Sequence, residues 1–182
     1  MAKALGMVEY ATVSVGIAAA DMMLKTAEVD VIEAQTVCPG KYIAIITGEL
    51  SAVKAAVDAS KTTFDEKLID SFVLGNPHES VIPAIYGANS VENPKALGIL
   101  ETFSVASMIV AADSAAKTAE VDLIELRLAR GMCGKSYMLI TGEVAAVSAS
   151  IERAKAETGD GAMFLDSQII ANPDMKLWES IL

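Results

Sequence analysis

Apolar residues along this chain follow two spacings. Over residues 4–9, 29–37, 42–47 and 68–74 they form short runs, in part β-branched, which predict strands. Over 13–26 and from 50 to about 66 they recur at three and four residues, which predicts helices with one apolar face. In the first helix Asp21 and Lys25 make an i, i+4 pair; in the second Val53, Ala56, Val57 and Phe64 turn inward. Gly48 breaks the chain before the second helix. Cys38-Pro39-Gly40 joins two strands that read as a hairpin, and Asn76-Pro77 opens a short closing helix over 78–86. The order β-α-β-β-α-β-α predicts an α/β (α+β) domain: a split βαβ, ferredoxin-like antiparallel sheet with helices on one face.

The pattern then repeats. Lys3-Ala4-Leu5-Gly6 returns as Lys95-Ala96-Leu97-Gly98, and Lys25-Thr26-Ala27-Glu28-Val29-Asp30 returns unchanged at 117–122, both offset by 92. Ile46-Thr47-Gly48-Glu49 returns at 140–143, offset by 94, and Asp70-Ser71 and Asn76-Pro77 return at 166–167 and 172–173, offset by 96. The second copy has gained two residues between Glu125 and Lys135 and about two more before Asp166. A collinear series of this kind marks two tandem domains of one fold. We place the first domain at 1–88, a linker rich in Gly, Asn, Ser and Pro at 89–94, and the second domain at 95–182. The second copy is expected to run strand 96–101, helix 105–118, strand 121–129, loop 130–134, strand 135–141, helix 144–157, strand 163–170 and helix 174–181.

Composition narrows the function classes. The chain of 182 residues is 53% hydrophobic and only 5% aromatic. Its apolar stretches are broken by charges well short of the ~20 residues that span a bilayer, and residues 1–6 lack the form of a signal peptide. Such an apolar yet non-membrane chain is expected to bury its excess in subunit contacts. A net charge of −10 argues against nucleic acid and gives no reason for an anionic membrane surface as partner. No Ser-His-Asp set, P-loop or GxGxxG motif is present, so no enzyme is expected.

The chemistry that remains lies in two loops. The first holds Cys38, Pro39, Gly40 and Lys41; its counterpart in the second copy is Gly131-Met132-Cys133-Gly134. Aligned on Lys41 and Lys135, Met132 falls opposite Cys38 and Cys133 opposite Pro39, so the two thiols are not equivalent. Cys38 reads either as a small packed residue at a strand end or as a thiol presented by a stiff turn. The chain has two cysteines in all, no CxxC and no ferredoxin spacing, so one chain alone cannot supply the roughly four thiolates of an iron–sulfur cluster. His78, the single histidine, reads as a surface or capping residue, and Met22, Met23 and Met108 read as core or interface filler. Glu9 with Glu101, and Asp70 with Asp166, recur by duplication, which favours a role in the fold.

Ala-Leu-Gly-Met-Val-Glu, then Ala-Asp-Met-Met-Leu-Lys-Thr-Ala-Glu-Val, then a glycine-containing loop before Lys-Tyr-Ile-Ala-Ile-Ile-Thr-Gly-Glu, resembles the bacterial microcompartment (BMC) shell domains. The resemblance spans nearly the whole chain, twice. With Thr-Val-Cys-Pro-Gly-Lys in the first copy, it is to the tandem-domain type with iron–sulfur members in propanediol-utilising compartments. It implies a homotrimer that mimics a six-domain hexagonal tile and packs with other shell proteins into a flat sheet. The compartment shell, within the cytoplasm, is the implied location.

In such tiles the hairpin loop lines a central pore, which here places Pro39, Gly40, Lys41, Met132, Cys133 and Gly134 around the axis with Cys38. Threefold symmetry then presents Cys38 three times. That implies one [4Fe–4S] cluster per trimer, shared by three chains, with Cys38 as the metal ligand and electron transfer or cluster relay to an enclosed redox enzyme as the role. Exposed loop N–H groups are expected to hydrogen-bond cluster sulfur, and a nearby Lys41 to favour the thiolate. The resemblance puts Lys25 and Lys117 at shell edges. Asn76 and Asn172 stand where relatives often carry an edge arginine. The rival readings are a shell tile with an open or gated metabolite pore, and a soluble small-molecule-binding module on a ferredoxin-like fold.

Overall fold

A computed structural model describes residues 4–158 and 163–182. Residues 1–3 and 159–162 lie outside it, the latter within the region where the second copy gains its last extra length.

In the first copy the strands are Ala4–Tyr10 (β1), Val29–Val37 (β2), Lys41–Gly48 (β3) and Leu68–Leu74 (β4), with helices Val13–Thr26 (α1), Leu50–Thr63 (α2) and Val81–Ile85 (α3). The second copy gives Ala96–Thr102 (β5), Val121–Leu128 (β6), Ser136–Gly142 (β7) and Phe164–Ile170 (β8), with Val105–Thr118 (α4), Val144–Glu157 (α5) and Met175–Ile181 (α6). The sheets run β2-β3-β1-β4 and β6-β7-β5-β8, antiparallel throughout, as the ferredoxin-like order requires. Helices are expected on one sheet face, but α6 packs on the face opposite α5, because Trp178 meets Leu97 and Leu139 while Gly98 faces Val147 and Ile151. The other differences from the sequence expectation are at element ends. The second helix stops at Thr63 and a 3-10 turn, Asp65–Lys67, carries the chain into β4. The closing helix of the first copy begins only at Val81, after a turn at 78–80. No helix among the described residues is long and apolar enough to cross a membrane.

By contacts the chain divides into two units. One takes the chain through Pro77 together with Ser104–Ala106 and Ala129–Gly134; the other takes His78–Phe103, Ser107–Leu128 and Lys135–Leu182. In the first unit, Ala4, Val8 and Tyr10 of β1 and Ala44 and Ile46 of β3 share one sheet face. That face packs against Ala19 and Met23 of α1 and Val53, Ala56 and Val57 of α2. Phe64 joins this core as expected, edge-on to Tyr10 at 6.1 Å between ring centres, and the Tyr10 hydroxyl meets Ser60 Oγ at 2.7 Å. In the second unit Gly98 faces α5, while Leu97, Ile124 and Leu139 pack with Trp178 of α6. Leu97 and Gly98 alternate along β5, so α6 covers the sheet face opposite α5. The first copy's closing segment also lies in this unit: α3 packs on β6, and Asn89 Nδ2 bonds the Leu123 carbonyl at 2.8 Å.

Gly16 on α1 sits against Tyr42; a Cβ there would fall 2.2 Å from Tyr42 Cβ. At the matching places of the second copy stand Met108 and Ser136, so large and small residues have changed sides; both are fully buried. Gly16→Ala is therefore expected to cost about 1–3 kcal/mol by overpacking, against a small gain in helix propensity. Urea unfolding with an unchanged m-value would show it.

Candidate functional site

Val37 ends β2, and Cys38-Pro39-Gly40 turns the chain into β3. Gly40 has φ +102°, a conformation glycine enters without penalty, and its N–H closes the turn on the Val37 carbonyl at 2.9 Å. The Cys38 N–H donates to the Ala129 carbonyl at 3.2 Å. With proline between them, the loop's N–H groups at 38 and 40 are thus already engaged. This departs from the expectation that they are available to a cluster's sulfur.

The partner loop is Ala129–Gly134, the stretch that carries the two extra residues. Ala129, Gly131, Cys133 and Gly134 all have positive φ, so the loop coils tightly after β6. Gly134 is packed hard against the first loop: a Cβ there would lie 3.1 Å from the Cys38 carbonyl oxygen and 3.2 Å from Lys41 Nζ. Thr36, Val37, Cys38, Pro39, Gly40, Arg130 and Gly131 together line an open hollow of about 490 Å³. Cys38 is half-buried at this hollow, Cys133 is exposed, and both are free thiols. Pro39 and Gly40 are exposed, Met132 is half-buried and Gly134 is buried.

Lys41 follows the loop in sequence, but its side chain is held by Glu9. Its Nζ lies 2.8 Å from Glu9 Oε1, and Glu9 is fully buried. The other oxygen, Oε2, accepts the Val105 N–H at 3.1 Å. Burial pushes the Glu9 carboxyl above its ordinary range; the hydrogen bond and charge of Lys41 and the Val105 N–H oppose this, and the charge of Asp70 adds to it. Asp70, next to Glu9 across the β1–β4 ladder, accepts the Ser104 hydroxyl at 2.6 Å. The two acids thus hold the start of α4, where a helix N-terminus favours negative charge. This is the fold role their recurrence suggested.

Two residues at the site were not singled out from the sequence. Arg130 forms an ion pair with Glu33, which also accepts from Gln35. Burial raises the Glu33 carboxyl, with Arg130 as the main opposing influence. The signal for Arg130 was available, because it lies in the extra length of the second loop. Glu33 gave none: it looks like any outward residue of an edge strand.

Other residues of interest lie away from the loops. Lys25 is exposed and pairs with Asp21 at 2.6 Å, as its spacing predicted; Lys117 pairs with Asp113 at 2.7 Å. His78 is half-buried in the turn before α3, whose N-cap is Ser80. Its N–H donates to Asp113 Oδ1 at 2.7 Å, and its Nδ1 lies 2.8 Å from Ser80 Oγ.

The described residues contain no group of three or more Cys, His, Asp or Glu able to hold a metal. One chain therefore offers an iron–sulfur cluster a single thiol at the hollow. The donor chemistry fits such a group only where several copies bring Cys38 together.

A BMC domain model matches the chain twice, over residues 4–77 and 96–173. The chain is 37% identical over 182 residues to the bacterial microcompartment shell protein PduT of Citrobacter freundii, spanning 100% of this chain and 99% of that one. The carboxysome assembly protein CcmO of Synechocystis sp. is 28% identical over 166 residues, and the match spans 82% of this chain but only 54% of CcmO. Among solved structures, a microcompartment protein from Desulfitobacterium hafniense DCB superposes with a TM-score of 0.88 at 45% identity, over 98% of this chain and 99% of that one. A fused, permuted hexameric shell protein of the RMM microcompartment shares the fold, with a TM-score of 0.67 at 21% identity over 86% and 83%. Two family matches, one on each four-stranded sheet, establish that the chain belongs to the BMC domain family and carries that domain twice in tandem.

Proposed function

We propose that this protein is a non-enzymatic tile of a bacterial microcompartment shell in the cytoplasm, built as a homotrimer that packs with other shell proteins into a sheet. At its threefold axis three copies of Cys38 would hold one iron–sulfur cluster, a [4Fe–4S] cube with one iron left to another ligand. The tile likeness is supported by the full-length similarity to a shell protein and by the paired domains. The cluster reading is carried by one observation: a half-buried free thiol lines an open hollow in the first copy, where the second copy has methionine.

The chain's own residues supply position and charge. Pro39 and the Gly40–Val37 bond fix the turn that presents the thiol. Gly134 and the Lys41–Glu9 pair brace it from behind. Arg130, ion-paired with Glu33, stands in the lining of the hollow. A cluster there supplies one-electron transfer, so the tile serves electron passage across the shell or relay to an enclosed redox enzyme. Filling the axis also closes it to metabolites.

Two observations test this reading. Electron micrographs of the purified protein should show extended hexagonal sheets; discrete small particles alone would favour a soluble binding module. Anaerobic reconstitution with iron and sulfide should turn the protein brown, with absorbance near 400 nm. A colourless tile that still forms sheets would favour an open metabolite pore.

A further inference from the structure

One carboxylate near the hollow is bonded differently in the two copies. Glu33 and Glu125 occupy the same place in the repeat. In the second copy both oxygens of Glu125 are engaged: Arg127 donates to Oε1 at 2.7 Å and the Tyr137 hydroxyl to Oε2 at 2.8 Å. The first copy has Gln35 in the place of Arg127 and Ile43 in the place of Tyr137. Arg130, from the extra length of the second loop, supplies the missing cation. It pairs with Glu33 Oε1, which also accepts from Gln35. The phenol has no such replacement. Oε2 of Glu33 is buried with no hydrogen-bond partner among the described residues, and the side chain is only 10% exposed.

Ionised, Glu33 spreads its charge over both oxygens, and only one of them is stabilised. Burial disfavours that charge; Arg130 is the cation that opposes burial, and Gln35 adds a hydrogen bond. On the same face of the sheet, Ile43 and Ile45 of β3 flank it, and beyond Ile43 on β1 stands Glu9, already paired with Lys41. A proton on Oε2 would neutralise Glu33 and leave Arg130 as an unbalanced cation in the lining it shares with Cys38. The copy that carries Cys38 thus has the half-bonded carboxylate. The copy with Met132 in that place has the fully bonded one.

We infer that Glu33 is a proton acceptor coupled to the redox state of a cluster held by Cys38. Its Oε2 takes one proton from solvent when a one-electron donor reduces the cluster, and returns it on reoxidation. Negative charge added beside the pair favours the neutral carboxyl, and Arg130, released from balance, then faces the added charge. One electron and one proton enter together, so the net charge of the tile does not change. The inference rests on the cluster reading proposed above.

Redox titration of the reconstituted protein between about pH 5 and pH 9, followed by visible absorbance, tests it. The wild-type midpoint potential should fall with pH by up to about 59 mV per unit, the tenfold step for one electron. The fall should lie between the carboxyl's value in the oxidised protein and its higher value in the reduced one. Glu33→Gln, close in shape but unable to ionise, should give a potential that does not change with pH over that window. Arg130→Gln removes the opposing cation, so the falling stretch should move to higher pH. A wild-type potential independent of pH overturns the coupling and leaves the cluster standing. A slope that survives in Glu33→Gln does the same and points to Glu9. If Glu33→Gln does not fold, Arg130→Gln decides, and an unmoved falling stretch overturns the coupling. A wild type that takes up no iron overturns the cluster reading and the coupling with it.

Discussion

Cys38→Ser is expected to leave the tile assembled and strip it of iron. After anaerobic reconstitution the absorbance near 400 nm should disappear and the iron content fall to background, because in the proposed threefold arrangement one substitution per chain removes all three Cys38 thiolates. Serine keeps the shape of the half-buried side chain, so the turn closed by Gly40 and the Cys38 N–H bond to Ala129 should survive and sheets should still form. Cys133→Ser is the contrasting variant. Cys133 is exposed, at φ +53° on a loop already paired against the first, and the alignment sets it opposite Pro39. Its removal should leave most of the iron in place. Equal loss in both variants would make Cys133 a ligand as well.

Lys41→Ala should be the most destabilising single change near the site. It leaves the Glu9 carboxylate fully buried with the Val105 N–H as its remaining hydrogen-bond partner at that site. Breaking a buried ion pair from one side costs about 3–5 kcal/mol. The pH dependence gives the cause away. Burial already raises the carboxyl in the folded chain above its value when unfolded, so Glu9 costs stability as pH rises from the unfolded value through the folded one. Without Lys41 that folded value climbs further. The penalty of Lys41→Ala, taken against wild type at each pH, should therefore be largest at neutral pH and shrink as pH falls and Glu9 takes a proton. Denaturant unfolding at pH 7 and pH 5 measures it, and adding Glu9→Gln should recover part of the loss at pH 7. A penalty equal at both pH values, with no recovery, would mean that Lys41 acts by packing alone.

Much of the fold was legible because its signals are local. The spacing of Val53, Ala56 and Val57 gave α2, the β-branched runs gave the hairpin strands, and the offsets of 92 to 96 gave the tandem design. The site was legible only in part. Cys38, Pro39 and Gly40 announce a special turn by residue type. What the turn leans on, Ala129 and Gly134, lies about ninety residues away, and nothing in either segment states that they meet. Lys41 shows the same limit: next to Cys38 in sequence it suggests a thiolate partner, yet the sheet register places Glu9 within 2.8 Å and the ion pair takes it.

The measurement that bears most directly on the central claim is the native mass and iron content of the protein purified without oxygen. Three chains of 19.0 kDa carrying a single four-iron cluster, and no iron in the Cys38→Ser protein, are the predicted result. A trimer that stays iron-free after reconstitution, or a full cluster on every chain, would contradict it.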